Sequence, residues 1–250
     1  MIKTPLIPLA AAAAALLMLA SAQAAPVVYF AENQTPAGGV GPPPLNARNA
    51  FLSTLTGVSI EGFEGFALGS TQPLTLSFAG STGILTALLS GGSGVVSGTG
   101  TAGRFNTTPG GNRWFDVASS FAIDFSTPIS AFGFYGTDIG DFNGQVTAAL
   151  TDINDVVTTL NIGNTVNGNN ASLLFWGFTD AANSYKRITF GNTAAGDDFF
   201  GFDDMIIGDR LQVVDPDPNP NPIPEPGSLA LVGLSLAGLA AMRRRKANKR

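Results

Sequence analysis

The residues of this chain that could do chemistry are its carboxylates, because the sequence contains no histidine and no cysteine. Four aspartates, Asp197, Asp198, Asp203 and Asp204, fall in one stretch, G-D-D-F-F-G-F-D-D-M-I-I-G. Carboxylates can bind a hard cation such as calcium or act as a general acid and base. The missing histidine and cysteine exclude Ser-His-Asp and Cys-His nucleophile systems and the usual zinc sites.

The spacing of the last two aspartates predicts that one of them faces apolar neighbours. In a regular strand Asp203 shares a face with Met205, whereas Asp204 shares one with Phe202. A carboxylate on the apolar face must be paired, hydrogen-bonded or bound to a metal. Glu64 belongs to the segment I-E-G-F-E-G-F, which opens the predicted sheet region. Because the first and last strands of many jelly rolls are neighbours, one hypothesis is a structural calcium held by Glu64, Asp203 and Asp204; the sequence favours turn or edge acids without a metal, and we expect no cofactor.

Aromatic residues offer a second kind of site. The chain has 18 phenylalanines but only two tryptophans and three tyrosines. Phenylalanine fills the layer between two sheets without a polar atom to satisfy, so we expect most of the aromatic residues in the core. The alternative is an exposed stacking platform for sugar rings, with Tyr135, Trp114 and Trp176 as the candidate ligand-binding residues.

Enzymatic activity on polysaccharide would need two carboxylates facing each other across a groove. The candidates are Glu61, Glu64, Asp138 and Asp141, but the sequence does not show that any two of them are close. Because no catalytic motif is present, we expect a protein that is not an enzyme and assign no catalytic residue.

The elements that must position these side chains are strands. In the segment 119–135, Phe121, Ile123 and Phe125 alternate with smaller or polar residues, and Phe132 and Phe134 continue the alternation after a break at Thr127-Pro128. This period of two is typical of strands, and six further short segments of this kind are bounded by turn residues. The pattern predicts an all-β fold, an antiparallel β-sandwich of the jelly-roll or lectin-like type, with one short helix at 46–55.

Composition limits the partners of this sandwich. Residues 25–226 contain six basic residues and all 18 acidic ones, a formal net charge of −12. Such a charge makes nucleic acid an unlikely partner. The length is that of one domain, which we place at 25–208.

The N-terminus has the pattern of a secretory signal peptide, predicted at 1–24. Lys3 gives a positive start, an alanine- and leucine-rich stretch follows, and Ala22 and Ala24 form a small-x-small cleavage site. Cleavage after Ala24 would place the mature protein outside the cytoplasm.

The C-terminus has the pattern of a membrane-sorting segment. A proline-rich linker at 209–223 leads into an apolar helix predicted at 228–242 and a basic tail at 243–250. As a helix, the apolar stretch would be about 22 Å long, short of the roughly 30 Å hydrocarbon core. So short a helix suits a temporary anchor, and a permanent short anchor is the alternative.

This C-terminal order of features resembles the PEP-CTERM sorting signal of Gram-negative bacteria, predicted here at 224–250. The residues that carry the resemblance are Pro224, Glu225 and Pro226, the glycine-containing apolar stretch, and Arg243, Arg244 and Arg245. The resemblance implies that a membrane exosortase processes the tail, and that the protein reaches the cell surface or the matrix of bacteria that make exopolysaccharide.

The core is also similar to a recurrent domain of such proteins. The similarity rests on five short motifs: A-R-N-A-F-L (47–52), F-E-G-F (63–66), A-F-G-F-Y (131–135), F-W-G-F-T-D (175–180) and F-D-D-M-I-I-G (202–208). It implies no activity and no catalytic residue. We therefore expect an exported, non-catalytic structural or carbohydrate-binding component of an exopolysaccharide or biofilm matrix, with a glycoside hydrolase-like enzyme as the alternative.

Overall fold

The computed structural model describes residues 25–36, 39–98 and 102–214. Within these residues the chain forms twelve strands and one helix, and every strand pairing is antiparallel. This confirms the predicted all-β class with one short helix. In chain order the elements are β1 (Val27–Asn33), α1 (Pro44–Leu52), β2 (Ile60–Glu61), β3 (Leu74–Gly80), β4 (Gly83–Ser90), β5 (Val95–Ser97), β6 (Trp114–Ala118), β7 (Ala122–Thr137), β8 (Val146–Asp152), β9 (Val157–Asn161), β10 (Leu173–Thr179), β11 (Tyr185–Asn192) and β12 (Phe199–Asp209).

All twelve strands are hydrogen-bonded into one continuous sheet, which folds over into two layers joined by strand β7. Its first half, up to Phe125, pairs with β4 and β11, whereas its second half, from Ala131, pairs with β10 and β12. The break that the sequence predicts at Thr127-Pro128 is therefore the point where one long strand passes between layers. Proline lacks the N–H that a central ladder position requires, so it fits at this irregular point.

The interior between the layers is filled by phenylalanine, as the period-two pattern predicts. Phe134 stacks on Phe202 with ring centroids 4.6 Å apart, and Phe121 stacks on Phe190 at 4.5 Å. Phe134, Phe190 and Phe202 belong to strands β7, β11 and β12, and Phe121 lies in the loop before β7. Offset and edge-to-face contacts of this kind add to the free energy gained by burying the rings.

Helix α1 covers the outer face of the layer formed by β10, β7 and β12. Phe51 of the helix is fully buried and packs 5.6 Å from the ring of Phe175, near Tyr135 and Ile206. Gly133 makes this approach possible, since a Cβ atom there would lie 2.9 Å from the rings of both Phe51 and Phe175. The two phenylalanines of the motif A-F-G-F-Y thus point into the interior. Its glycine, Gly133, leaves space for the helix on the outer face of the sheet.

Helix α1 begins two residues earlier than the predicted 46–55 and ends three residues earlier. The sequence analysis places the start at Asn46, but the first helical residue is Pro44, and no side chain caps the N-terminus. Proline suits the first turn because its fixed φ is helical and its missing N–H has no partner there in any case.

The ends of the described region refine the domain boundary. Val213 bridges to Leu55, and the Val214 N–H donates to the carbonyl of Thr54, so the folded domain includes residues beyond the predicted limit at 208. The signal peptide predicted at 1–24 and the helix predicted at 228–242 lie outside the described residues. Within residues 25–36, 39–98 and 102–214, no helix combines the length and apolar character needed to cross a membrane.

Candidate functional site

A bulge in β12 sets the position of the two aspartates. Asp203 is opposite Tyr135 of β7, but Ile206 is opposite Gly133, so β12 has one more residue than its partner between these points. Asp204 takes up the extra length with a φ of 48°. Asp and Asn tolerate this left-handed conformation better than most residues.

The bulge corrects the prediction that one aspartate faces the apolar interior. Phe202 and Met205 both pack in the core between the layers, although a regular strand would place them on opposite faces. The extra residue between them keeps Asp203 and Asp204 together on the other side of the sheet. Strand β2 lies beside β12, with Glu61 opposite Met205, which confirms that an early acidic segment adjoins the last strand.

Asp203 and Asp204 hold the loop at 106–109 against the sheet. Oδ2 of Asp203 accepts hydrogen bonds from the N–H and hydroxyl of Thr107, at 2.6 and 2.9 Å, and from the Thr108 N–H at 3.3 Å. Oδ1 of Asp204 accepts from the Thr108 hydroxyl at 2.6 Å. The two carboxyls are 0% and 4% exposed. Their burial is therefore matched by hydrogen bonds, as a buried polar group requires.

Burial changes the protonation of Asp203. Removal from water raises the pKa of its carboxyl to about 7, and the neighbouring charge of Asp204 adds to the rise. The hydrogen bonds from Thr107 and from the Asp204 N–H oppose it, because they favour the ionised form. Burial therefore favours the protonated form of the Asp203 carboxyl relative to an exposed aspartate.

A cavity of about 220 Å³ lies beside this carboxyl pair. Helix α1, strand β7, strand β12 and the loop after Gly103 each contribute to its wall, because α1 covers this face and the two aspartates fix the loop opposite the helix. The lining residues are Val40, Leu45, Arg48, Thr107, Pro109, Tyr135 and Asp204.

Tyr135 and Arg48 bring unpaired polar atoms to this cavity. Tyr135 is 2% exposed, and its hydroxyl has no hydrogen-bond partner among the described residues; the same is true of Nε of Arg48. The guanidinium carbon of Arg48 lies 5.9 Å from the centre of the Tyr135 ring, within the range of a cation–π contact. Burial raises the pKa of Tyr135 well above its usual range, opposed by Arg48 and reinforced by Asp204, so the phenol remains a hydrogen-bond donor.

The three acids considered as calcium ligands contact two parts of the same segment. Asp203 and Asp204 bond to Thr107 and Thr108, whereas Oε1 of Glu64 accepts from the N–H groups of Asn112 and Arg113, both at 2.8 Å. No cluster of three or more acidic residues in the described part of the chain is placed to hold a metal ion. Calcium binding by these residues remains a hypothesis.

The candidate residues for carboxylate catalysis do not line this cavity. Glu61 accepts a hydrogen bond from the Phe63 N–H at 2.8 Å, and burial raises its pKa. Asp138 accepts from the Ala171 N–H at 2.9 Å and forms a salt bridge with Arg104 at 3.4 Å. Burial raises the pKa of Asp138 to about 6, and the charge of Asp141 contributes to the rise.

The two tryptophans lie in the interior of the protein. Trp114 is 2% exposed and Trp176 is fully buried, with the Trp176 ring 5.9 Å from that of Phe178. This agrees with the expectation that the aromatic residues fill the core, and neither ring is available as a surface platform. Of the three aromatic candidates, only Tyr135 lines the cavity.

Arg48, Thr107 and Thr108 were not predicted as site residues. Arg48 occurs in the motif A-R-N-A-F-L, but nothing in that motif indicates that its side chain faces a strand from the middle of the chain. Thr107 and Thr108 bond to aspartates that lie 96 residues later in the chain. No local sequence pattern reveals such a contact.

The described chain is thus a two-layered antiparallel β-protein with a helix-covered cavity, and comparison with known proteins adds the role of its tail. Residues 222–246 match the model of the PEP-CTERM protein-sorting motif. The chain is therefore a protein that contains a PEP-CTERM sorting domain, as the residues Pro224 to Arg245 predict. This motif implies an exported protein that is anchored at the membrane, processed by an exosortase and sent to the surface.

Comparisons of the whole chain add little to this. A search of curated proteins found no match. Among solved structures, a cleaved adhesin domain of Lys-gingipain is 12% identical with a TM-score of 0.37, covering 60% of this chain and 97% of that one. A mutant family 29 carbohydrate-binding module is 11% identical with a TM-score of 0.30, covering 65% of this chain and 100% of that one. At these TM-scores neither likeness supports a shared ligand.

Proposed function

We propose that this protein is a non-catalytic component of an extracellular exopolysaccharide matrix, to which it binds after release from the membrane. The observation that carries the proposal is the sorting motif at 222–246. A protein sent to the surface of a polysaccharide-producing cell works among sugar polymers, and a β-sandwich suits such a place because, without cysteine, it remains folded with no disulfide.

The body of the protein supports a binding role over a catalytic one. Asp203 and Asp204, the most buried acid pair, accept hydrogen bonds from the threonines of one loop and so serve to hold that loop. A glycosidase needs two carboxylates about 5–9 Å apart with the scissile bond between them. Asp203 does not line the cavity, and its hydrogen bonds to Thr107 hold its carboxyl away from any substrate there.

The sorting part of the proposal is tested by changing the motif in the producing cell. The double variant Pro224→Ala with Pro226→Ala should keep an uncut tail and stay in the membrane fraction, as judged by the mass of the intact protein. The matched control is Pro216→Ala with Pro218→Ala, in the linker before the motif, which should leave release unchanged. Equal release of both variants would contradict processing at this motif.

The matrix part is tested separately with the secreted protein. We expect it to co-sediment with exopolysaccharide purified from its own host, and deletion of its gene should weaken the cohesion of the matrix. No binding to this polymer, together with an unchanged matrix in the deletion strain, would overturn the proposal. A chelator added to the same assay shows whether binding depends on calcium.

An alternative function, carboxylate-dependent cleavage of polysaccharide, has one observation in its favour. Burial raises the pKa of Asp138 to about 6, the charge of Asp141 contributes to the rise, and a carboxyl with a raised pKa can act as a general acid. The test is release of reducing ends from the host polymer. Turnover that is lost in Asp141→Asn or in Glu64→Gln would favour the enzyme, whereas no turnover by the wild-type protein would remove it.

A further inference from the structure

We propose that the cavity between α1 and the loop at 106–109 binds one neutral sugar ring, the terminal residue of a glycan chain. The inference rests on the proposed function, since it names the site and ligand class for the same binding activity. Four features of the cavity carry it: unpaired polar atoms, an acceptor beside an apolar surface, a balance of charge, and size.

The unpaired polar atoms indicate a missing partner. A buried hydroxyl without a hydrogen bond costs about 1–3 kcal/mol, and the Tyr135 hydroxyl is such a group among the described residues. Nε of Arg48 on the opposite wall is a second unpaired donor. A ligand with several hydroxyl groups can accept from both, because each hydroxyl oxygen has two lone pairs.

The cavity also offers an acceptor and an apolar surface. The Asp204 carboxylate accepts from Thr108, but two carboxylate oxygens can together accept about four hydrogen bonds, so Asp204 can also accept from a ligand hydroxyl. Val40, Leu45 and Pro109 supply apolar atoms to the wall. A sugar ring has both kinds of surface, hydroxyl groups around its edge and C–H groups on its faces.

The charges favour a neutral ligand over an acidic one. The cavity has one basic side chain, Arg48, and one acidic side chain, Asp204, so their formal charges balance within it. Around it, residues 25–226 have a formal net charge of −12. This field repels a polyanion at long range. A polymer rich in uronic acids is therefore disfavoured, although one guanidinium is present.

The size sets the number of rings. At about 220 Å³ the cavity is smaller than the pockets of about 300–1,000 Å³ that hold drug-sized ligands. One ring fits this volume and a chain of several does not, so the site takes an end of a glycan. The loop wall is fixed before binding because Asp203 and Asp204 hold Thr107 and Thr108, which lowers the cost of ordering the site.

Titration calorimetry on the full secreted protein tests the site, with glucose, galactose, mannose and N-acetylglucosamine as neutral probes and glucuronate as the acidic one. We expect at least one neutral sugar to bind more tightly than glucuronate. Tyr135→Phe, which removes only the hydroxyl, and Arg48→Met should each weaken this binding by about tenfold, the loss of one hydrogen bond. The matched control is Tyr29→Phe, which removes a hydroxyl from a tyrosine that does not line the cavity.

Each other result overturns the site or the ligand class. Tighter binding of glucuronate contradicts the neutral class, and sugar binding that is unchanged in both Tyr135→Phe and Arg48→Met places the site elsewhere. Failure to bind any of these sugars, with the host polymer still bound, rejects the cavity and leaves the proposed function standing. Failure with the host polymer as well rejects both. Circular dichroism of the Tyr135→Phe and Arg48→Met proteins shows that a loss of binding is not a loss of fold.

Discussion

Oδ2 of Asp203 accepts hydrogen bonds from both the N–H and the hydroxyl of Thr107, a residue 96 positions earlier, at 2.6 and 2.9 Å. The contact joins the bulge of β12 to the loop that forms one wall of the cavity. The Thr107 N–H is buried and depends on this one carboxyl for a partner, whereas the Thr108 N–H also donates to Oδ1 of Asn106 at 3.1 Å.

The variant Asp203→Ala should therefore be much less stable than the wild type. It leaves the buried N–H groups of Thr107 and Asp204 without their acceptor, and we expect a loss of about 2–4 kcal/mol in the free energy of unfolding. For a domain of this size the thermal midpoint should fall by roughly 5–15 °C. The measurement is calorimetric melting of the secreted protein.

The control for this prediction is Asp155→Asn, because asparagine tolerates the left-handed φ of 66° at this position and the change removes only the charge. Asp155 also has a partner, Lys186 at 2.7 Å, but its side chain is 79% exposed, and an exposed pair of this kind contributes about 0–1 kcal/mol. If both variants melted at the same temperature, the bond from Asp203 to Thr107 would not be what holds the loop.

Gly133 gives a second prediction, about the helix that covers the cavity face. In Gly133→Ala the new Cβ would meet the rings of Phe51 and Phe175 at 2.9 Å, so α1 must shift outward. Such overpacking costs about 1–3 kcal/mol. Gly65→Ala is the matched control, because a Cβ there has no neighbour within 4 Å. A smaller residue at position 51, as in Phe51→Leu, should recover part of the loss in the double variant, and the absence of any recovery would contradict this account.

The sequence predicts the strands and their inward faces because these depend on local alternation. Phe132, Phe134 and Phe202 all lie in the interior, as a period of two requires. The position of α1 is less well predicted, because Asn46 has the properties of a cap while the helix begins at Pro44. Both residues are compatible with a helix start, and packing of Phe51 against the sheet decides between them.

The candidate site is predicted only in part, because its geometry depends on irregular and distant contacts. The sequence singles out Asp203, Asp204 and Tyr135, yet strand parity would place the two acids on opposite faces. The bulge that brings them together cannot be recognised in the segment F-D-D-M-I-I, because this order of polar and apolar residues fits a strand in either register. Arg48 and Thr107 belong to a helix and a loop whose partners are set by the tertiary fold.

Removal of calcium is a third test, addressed to Glu64, Asp203 and Asp204. Oxygens of all three already accept hydrogen bonds from protein N–H or hydroxyl groups, so we expect a chelator to leave the thermal midpoint unchanged. The measurement compares melting in calcium and in EDTA. A rise of the midpoint with calcium that is absent in Glu64→Gln would show instead that a metal is bound there, because a bound ion stabilises the folded state in proportion to its affinity.

The last prediction concerns pH and follows from three buried carboxyls. Burial raises the pKa of Asp203 to about 7 and that of Asp138 to about 6, and it also raises the pKa of Asp198. In the unfolded chain an aspartate has a pKa of about 3.9, so between about pH 4 and pH 7 the folded state binds more protons than the unfolded one. These groups therefore contribute stability at low pH that is lost as the pH rises through this window, and above it they cause no further change.

We expect the thermal midpoint to fall by roughly 3–10 °C between pH 5 and pH 8, opposite to the trend of a protein whose carboxylates are paired with bases. Melting curves at constant ionic strength measure it. In Asp203→Asn, which has no proton to lose at position 203, the midpoint at pH 5 should be lower than in the wild type and should change less with pH. A midpoint that rises from pH 5 to pH 8 in the wild type would mean that the hydrogen bonds from Thr107 outweigh burial and that Asp203 is ionised throughout, because only a lowered pKa makes the folded state gain stability as protons leave.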